Sequence, residues 1–368
     1  MSAAADSVLP APHIGTLPGG PLGTIADVAG VTVGHCTLDQ GALQTGVTVV
    51  RPHGGDPFID KVPAAASAIN GFGKSIGLLQ VEELGTLETP IALTNTFGVG
   101  ALAQAQIRAA IRANPRIGRD WPTVNPLVFE CNDGYLNDIQ ALAVTERHFD
   151  HAFDNASPQV ARGALGAGRG MSCFDLKGGI GTASRVIDAA GRGYTVGALV
   201  LANFGRLPML TIDGMPLGRV LAERARAAQS AAEAAAAGAA LAKPEQGSII
   251  MIVATDAPLD ARQLKRLALR AAAGLARSGS VYGHGSGDIA LAFSTAYTVP
   301  HAADFVALPP LVADAHLDPL FRACADSVEQ AIVDALWSAV SVAGRDGHRR
   351  LSLHDSVPDL AQRLKATC

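Results

Sequence analysis

Charge is scarce in this 368-residue chain: charged residues make up 17% and aromatics 5%. A soluble domain usually carries about 25% charged residues. With 48% hydrophobic residues the shortage does not signal disorder, which pairs high charge with low hydrophobicity. Basic residues do not cluster, and 29 Lys+Arg against 33 Asp+Glu leave a net charge of −4. A nucleic-acid stripe and a polybasic membrane patch are thereby excluded. The first basic residue is Arg51. A secretory or mitochondrial leader needs basic residues near its start, so none is expected and a cytoplasmic location is. Long apolar runs are missing too. The stretch 249–254 is typical of the longest, far short of the roughly 20 residues of a membrane span.

Motifs for several chemistries are also lacking. The five cysteines (Cys36, Cys131, Cys173, Cys324 and Cys368) are odd in number and include no CxxC pair. They read as free thiols in a reducing compartment. HExxH is absent, and His148 and His151 beside Asp150 have no evident third ligand, so they read as a solvated surface. Gly71-Phe72-Gly73-Lys74-Ser75 ends like a phosphate loop, but the required first glycine is replaced by Ala68. Gly166-Ala167-Gly168-Arg169-Gly170 has the wrong spacing for a dinucleotide fingerprint. Ser286 does not sit in a hydrolase elbow GxSxG, because His284 stands where its first glycine would be. No metal and no cofactor are expected.

What the chain has in excess is glycine, 40 residues where about 7% is usual. The glycines cluster without a period of three, which excludes collagen. Between the clusters lie short apolar runs that read as buried strands: 46–50, 76–80, 91–94, 127–130, 196–202, 249–255 and 289–293. Most are apolar on both faces, as in a sheet covered on each side. Helices are predicted at 101–113, at 260–276 with Asp260 as N-cap, and at 322–343 with Gly344 as C-cap. The mixture indicates a layered α/β or α+β fold. One segment stands apart. From 226 to 242 the chain is mostly alanine and reads as a helical tail fraying into a linker that ends at Pro244. A strongly apolar strand begins directly afterwards at Ile249.

Two strings carry candidate chemistry. In Gly283-His284-Gly285-Ser286-Gly287-Asp288, Ser286 and Asp288 share a side if the chain is extended. The flanking glycines let backbone or substrate approach closely. A plain glycine-rich turn is the alternative, and His284 is either a general base or a turn residue. The second string is Gly247-Ser248, set between the loose linker and the buried strand. A serine hydroxyl there can attack its own preceding carbonyl to give an ester that water cleaves. Glycine before it tolerates the strained geometry this requires. Cleavage would release Ser248 with an α-amino group of pKa near 8, able to act as base toward the adjacent hydroxyl.

Several strings, taken together and in this order, resemble one family. They are Gly30-Val31-Thr32-Val33-Gly34-His35, Glu130-Cys131-Asn132-Asp133-Gly134-Tyr135-Leu136-Asn137-Asp138, Lys177-Gly178-Gly179-Ile180-Gly181-Thr182-Ala183-Ser184-Arg185, Leu201-Ala202-Asn203-Phe204-Gly205, Gly247-Ser248-Ile249-Ile250 and Gly285-Ser286-Gly287-Asp288-Ile289. The family is that of the self-processing L-aminopeptidase D-amidase/D-esterases and β-peptidyl aminopeptidases. The resemblance implies an α+β fold, a four-layer αββα sandwich akin to ornithine acetyltransferase. It implies one domain over 1–368, cut into an α chain 1–247 and a β chain 248–368 that stay associated, as a tetramer of such heterodimers. By the same resemblance Ser248 is the nucleophile, and Ser286 and Asp288 form a supporting hydrogen-bonded pair. Some relatives have the longer Glu where Asp288 stands. Asn203 is the implied oxyanion donor, Glu130 the carboxylate for the substrate's free amine, and Tyr135 a lining residue. A surface strand-end carboxylate is the other reading of Glu130. The implied activity is removal of N-terminal residues from short peptides, amides or esters. Acyl transfer on the same fold is the alternative, and serine argues against it because the ornithine acetyltransferases use threonine.

Overall fold

The structure is a computed structural model that describes residues 10–227 and 246–360. Two sheets lie face to face between two helical layers. The smaller sheet has strands β1 (Thr32–Leu38), β2 (Thr45–Arg51), β4 (Ile91–Asn95) and β5 (Leu127–Cys131), in that order. The larger sheet runs β3 (Asp60–Gly71), β9 (Gly285–Ser294), β8 (Gln246–Thr255), β7 (Arg192–Asn203) and β6 (Gly179–Ala189). Two-residue strands at Thr86–Leu87 and Val299–Pro300 pair with β3. Neighbours in the larger sheet are antiparallel except β8 and β9, which are parallel.

Side-chain alternation separates three apolar layers. Ile250, Ile252 and Ala254 of β8 point between the sheets, with Leu199 and Leu201 of β7, Ile289, Leu291 and Phe293 of β9, and Val50, Leu93 and Phe129 opposite. Ile249, Met251 and Val253 point the other way, against helices α5 (Ala261–Arg277) and α6 (Asp318–Trp337). Helices α2 (Val99–Ala113) and α3 (Glu146–Asp154) cover the outer face of the smaller sheet through Leu102 and Phe149. The result is the four-layer αββα sandwich. Burial on both faces is why β8 reads as an unbroken apolar run.

The predicted helix at 260–276 is α5, and Asp260 caps it by accepting Gln263 N–H at 2.7 Å. Elsewhere the chain departs from the sequence reading. Residues 76–80 were expected as a strand, but Ile76 makes a single bridge to Val128 and the chain then enters helix α1 (Leu78–Leu84). A short apolar run does not distinguish strand from helix by periodicity. Here Leu79 and Leu84 face solvent and Val81 alone is buried. The last long helix was expected to reach residue 343 and end on Gly344; α6 stops at Trp337, with Ser338 as C-cap. Beyond it Val340 is exposed and Val342–Ala343 forms a small strand, the β-branched residues taking the extended backbone they favour. Strands β1, β3 and β6 were missed, because alanine, glycine and polar residues break their apolar runs. Helix α4 (Leu217–Ala227) covers the start of the alanine-rich segment; the rest of the predicted tail and the linker at Pro244 lie outside the described residues, as does Cys368.

Ile252, fully buried between the sheets, gives a direct measure of this layer. Ile252→Ala is expected to cost about 2–5 kcal/mol in denaturant unfolding, because the cavity has little freedom to collapse. A loss below half a kcal/mol would contradict the packing.

Candidate active site

The cavity at one end of the sheet sandwich is about 610 Å³, and Ser248, Asn203, Glu130 and Tyr135 all line it. Ser248 stands at the start of β8, where the strand emerges from the apolar layer. Register places it between Asn203 on β7 and Gly287 on β9. Its Oγ accepts the Gly287 N–H at 3.1 Å. Both glycines are required by space. A β-carbon at Gly287 would stand 2.9 Å from the Phe72 carbonyl oxygen and 3.1 Å from Ser248 Oγ. Gly247 has φ +128°, and a β-carbon there would collide with the Asn203 carbonyl.

Asn203 is locked in orientation. Its Oδ1 accepts Ser172 N–H at 2.8 Å, and its Nδ2 donates to the Asn132 carbonyl at 3.0 Å. Asn203 lines the cavity and is the register partner of Ser248 on β7. Glu130, the last residue but one of β5, is almost wholly buried. Its Oε1 accepts Lys74 N–H at 2.7 Å and its Oε2 accepts the Thr96 hydroxyl. The expected Ser286–Asp288 pair is present: Ser286 Oγ donates to Asp288 Oδ1 at 2.5 Å, both side chains fully buried. Its position differs from that of a group touching Ser248 Oγ. Residues 286 and 288 alternate with Gly287, so the pair lies on the other face of the sheet. In register it flanks the Gly247–Ser248 backbone. Tyr135 is at the rim, its ring stacked on His348 at 4.6 Å. His284 lines the cavity beside Phe72, with ring centroids 5.8 Å apart.

Several contributors carried no signal of their own. Asn70 holds the 283–286 turn by donating to the carbonyls of Gly283 at 2.9 Å and of Ser286. Ser172 has no motif around it. Phe72 and Lys74 belong to the failed phosphate loop, which instead forms cavity wall. Lys177 was quoted as part of a string without a role. It is fully buried, and its Nζ gives its three N–H bonds to the carbonyls of Gly168, Met171 and Gly178 at 2.8–3.0 Å. Burial pushes its pKa well down. It ties the glycine-rich 166–170 turn to the loop that presents Ser172.

Thiol chemistry has no support here. Burial, then the nearby Glu130 and Asp288, push the Cys131 thiol far up, and burial takes Cys324 to about 12. A thiolate nucleophile needs the reverse. Among the described residues no group of three His, Cys, Asp or Glu is arranged to hold a metal ion. His148 and His151 serve helix α3 instead, bonded to Thr145 and Asn155. No helix among the described residues is long and apolar enough to cross a membrane.

Two stacked sheets between helical layers, with a hydroxyl at the mouth of a central strand, define a hydrolase of the N-terminal-nucleophile type of fold. The chain belongs to peptidase family S58, whose model matches residues 23–350. It is 39% identical over 335 residues to the β-peptidyl aminopeptidase BapA of Sphingosinicella microcystinivorans, covering 88% of this chain and 83% of that one. Among solved structures, the PH0078 protein of Pyrococcus horikoshii OT3 is 43% identical with a TM-score of 0.87, over 95% of this chain and 97% of that one. The L-aminopeptidase D-Ala-esterase/amidase of Ochrobactrum anthropi, described as a prototype of the serine aminopeptidases and a variant of the Ntn hydrolase fold, is 34% identical. Its TM-score is 0.85, over 96% of this chain and 97% of that one.

Behind Asn132 lies Asp133, fully buried and bonded to Asn137 at 3.0 Å. Burial raises its pKa to about 6. A carboxyl raised above its unfolded value favours the folded state while protonated. That contribution is lost as pH rises from about 4 through 6. Asp133→Asn should therefore gain on wild type by about 3 kcal/mol across this window, read as the difference in denaturant midpoints at each pH. A difference independent of pH would contradict the raised pKa.

Proposed function

We propose that the chain cuts itself between Gly247 and Ser248, and that the freed Ser248 is the nucleophile of a metal-free aminopeptidase. The observation that carries this reading is the placement of the Gly247–Ser248 peptide at the cavity wall. Gly247 has a backbone open to glycine alone, and Ser248 Oγ is already polarised by the Gly287 N–H. Ser248 Oγ attacks the Gly247 carbonyl carbon, the peptide C–N bond breaks, and the acyl group passes from nitrogen to oxygen. Water hydrolyses the ester, leaving a carboxylate on Gly247 and an amine on Ser248.

In turnover the new amine takes the hydroxyl proton as Oγ attacks the substrate carbonyl. The Asn203 amide, through the N–H not given to Asn132, receives the oxyanion. Ser286 and Asp288 flank the backbone position where the amine forms, so they hold and relay its proton. Glu130 binds the substrate's free N-terminal ammonium, which makes the enzyme an exopeptidase of short peptides, amides or esters. The names of the relatives, which span β-peptidyl, L-amino and D-Ala substrates, support this class. The α and β chains stay joined through the shared β7–β8–β9 sheet and assemble as a tetramer of heterodimers in the cytoplasm.

Denaturing gels and intact mass should show fragments 1–247 and 248–368. Ser248→Ala should abolish both the cut and turnover of aminoacyl p-nitroanilides, tested as L-, D-Ala and β-Ala forms. An active enzyme that stays full-length, or an active Ser248→Ala, would overturn the mechanism. Asn203→Ala, once processed, should lose about 100–1,000-fold in kcat; a loss under fivefold would remove it from the oxyanion site.

A further inference from the structure

Two charges of opposite sign stand on opposite sides of Ser248. Glu130 is on the β9 side: the point where a β-carbon of Gly73 would stand is 3.6 Å from Glu130 Oε1 and 3.8 Å from Gly287 Cα. Arg350 is on the β7 side. Its Nε donates to Ser172 Oγ at 3.1 Å, and the Ser172 N–H in turn holds Asn203 Oδ1. The order across the cavity is therefore Glu130, Gly287, Ser248, Asn203, Ser172, Arg350.

Arg350 is built into place. Its guanidinium lies 3.9 Å from the Tyr135 ring centroid, and the next carbonyl, Leu351, accepts the Lys177 N–H at 2.8 Å. The cavity's other arginine, Arg206, is paired with Asp175 at 3.1 Å. Among the described residues no carboxylate lies within ion-pair distance of Arg350. With Nε used on Ser172, the terminal N–H fork is left for a ligand. A fixed planar fork matches a carboxylate bidentately.

We propose that Arg350 binds the free C-terminal carboxylate of the substrate, so that the preferred substrates are short zwitterionic peptides spanning Glu130 and Arg350. This rests on the aminopeptidase reading above. It adds a specificity determinant on the leaving-group side, where Glu130 has no reach. Lys74, whose ammonium lies 4.6 Å from the Phe72 ring centroid, also lines the cavity, but its backbone N–H holds Glu130, which places it on the amine side.

The experiment compares kcat/KM for an unblocked dipeptide and for the same dipeptide as its C-terminal amide. Wild type should favour the acid. Arg350→Ala should lower the acid-to-amide ratio about 10–100-fold, mainly through KM, with Arg350→Lys in between. Arg350→Gln serves if the alanine variant misfolds, and the two-fragment gel reports processing in each. An equal loss on both substrates would mean that Arg350 merely braces Ser172 and Asn203, and overturns the proposal. A ratio that collapses in Lys74→Met and survives in Arg350→Ala overturns it too. Amide turnover by wild type tests the aminopeptidase reading separately: a wild type active on the amide with a ratio indifferent to Arg350 defeats this proposal alone, whereas a wild type inactive on both defeats the two together.

Discussion

Strand β8 is pinned between an antiparallel neighbour, β7, and a parallel one, β9, and the site depends on that pairing. From Ile249 to Ala254 every side chain of β8 is buried on one face or the other. A slip of one residue would carry the apolar set across the sheet and turn Ser248 toward the helical layer. The same register puts Asn203 and Gly287 on either side of Ser248. Core packing and site geometry are thus one constraint.

That constraint explains the separation of roles around Ser248. Its hydroxyl lies on the inter-sheet face with Asn203. The Ser286–Asp288 pair lies on the opposite face, alongside the backbone at the proposed cut. A group that manages the backbone nitrogen and a group that manages the hydroxyl can therefore be distinct, divided by the sheet itself. Charge in this interior is held group by group. Glu130 has two donors and Lys177 three acceptors, so each buried polar group keeps its bonds without bulk water.

Much of the central sheet was legible in the chain. Runs 196–202, 249–255 and 289–293 are apolar on both faces, and such strands leave a plain signal. Strands β1, β3 and β6 left none, because their burial is met by glycine, alanine and hydrogen-bonded polar groups. The run at 76–80 misled for the opposite reason: it is apolar, yet Leu79 faces solvent in α1. Of the site, Ser248, Ser286 and Asp288 stood in recognisable strings, as did Asn203 and Glu130.

By itself the sequence determined which residue types are present at the mouth of β8, and that a glycine precedes the serine. Those are local facts, set by neighbours in the chain. Tertiary structure decided which face each of them occupies and what completes the cavity. Ser172 and Arg350, 178 positions apart, meet there through one hydrogen bond. Contacts of that kind come from strand pairing and sheet stacking, which bring together residues that no local spacing relates.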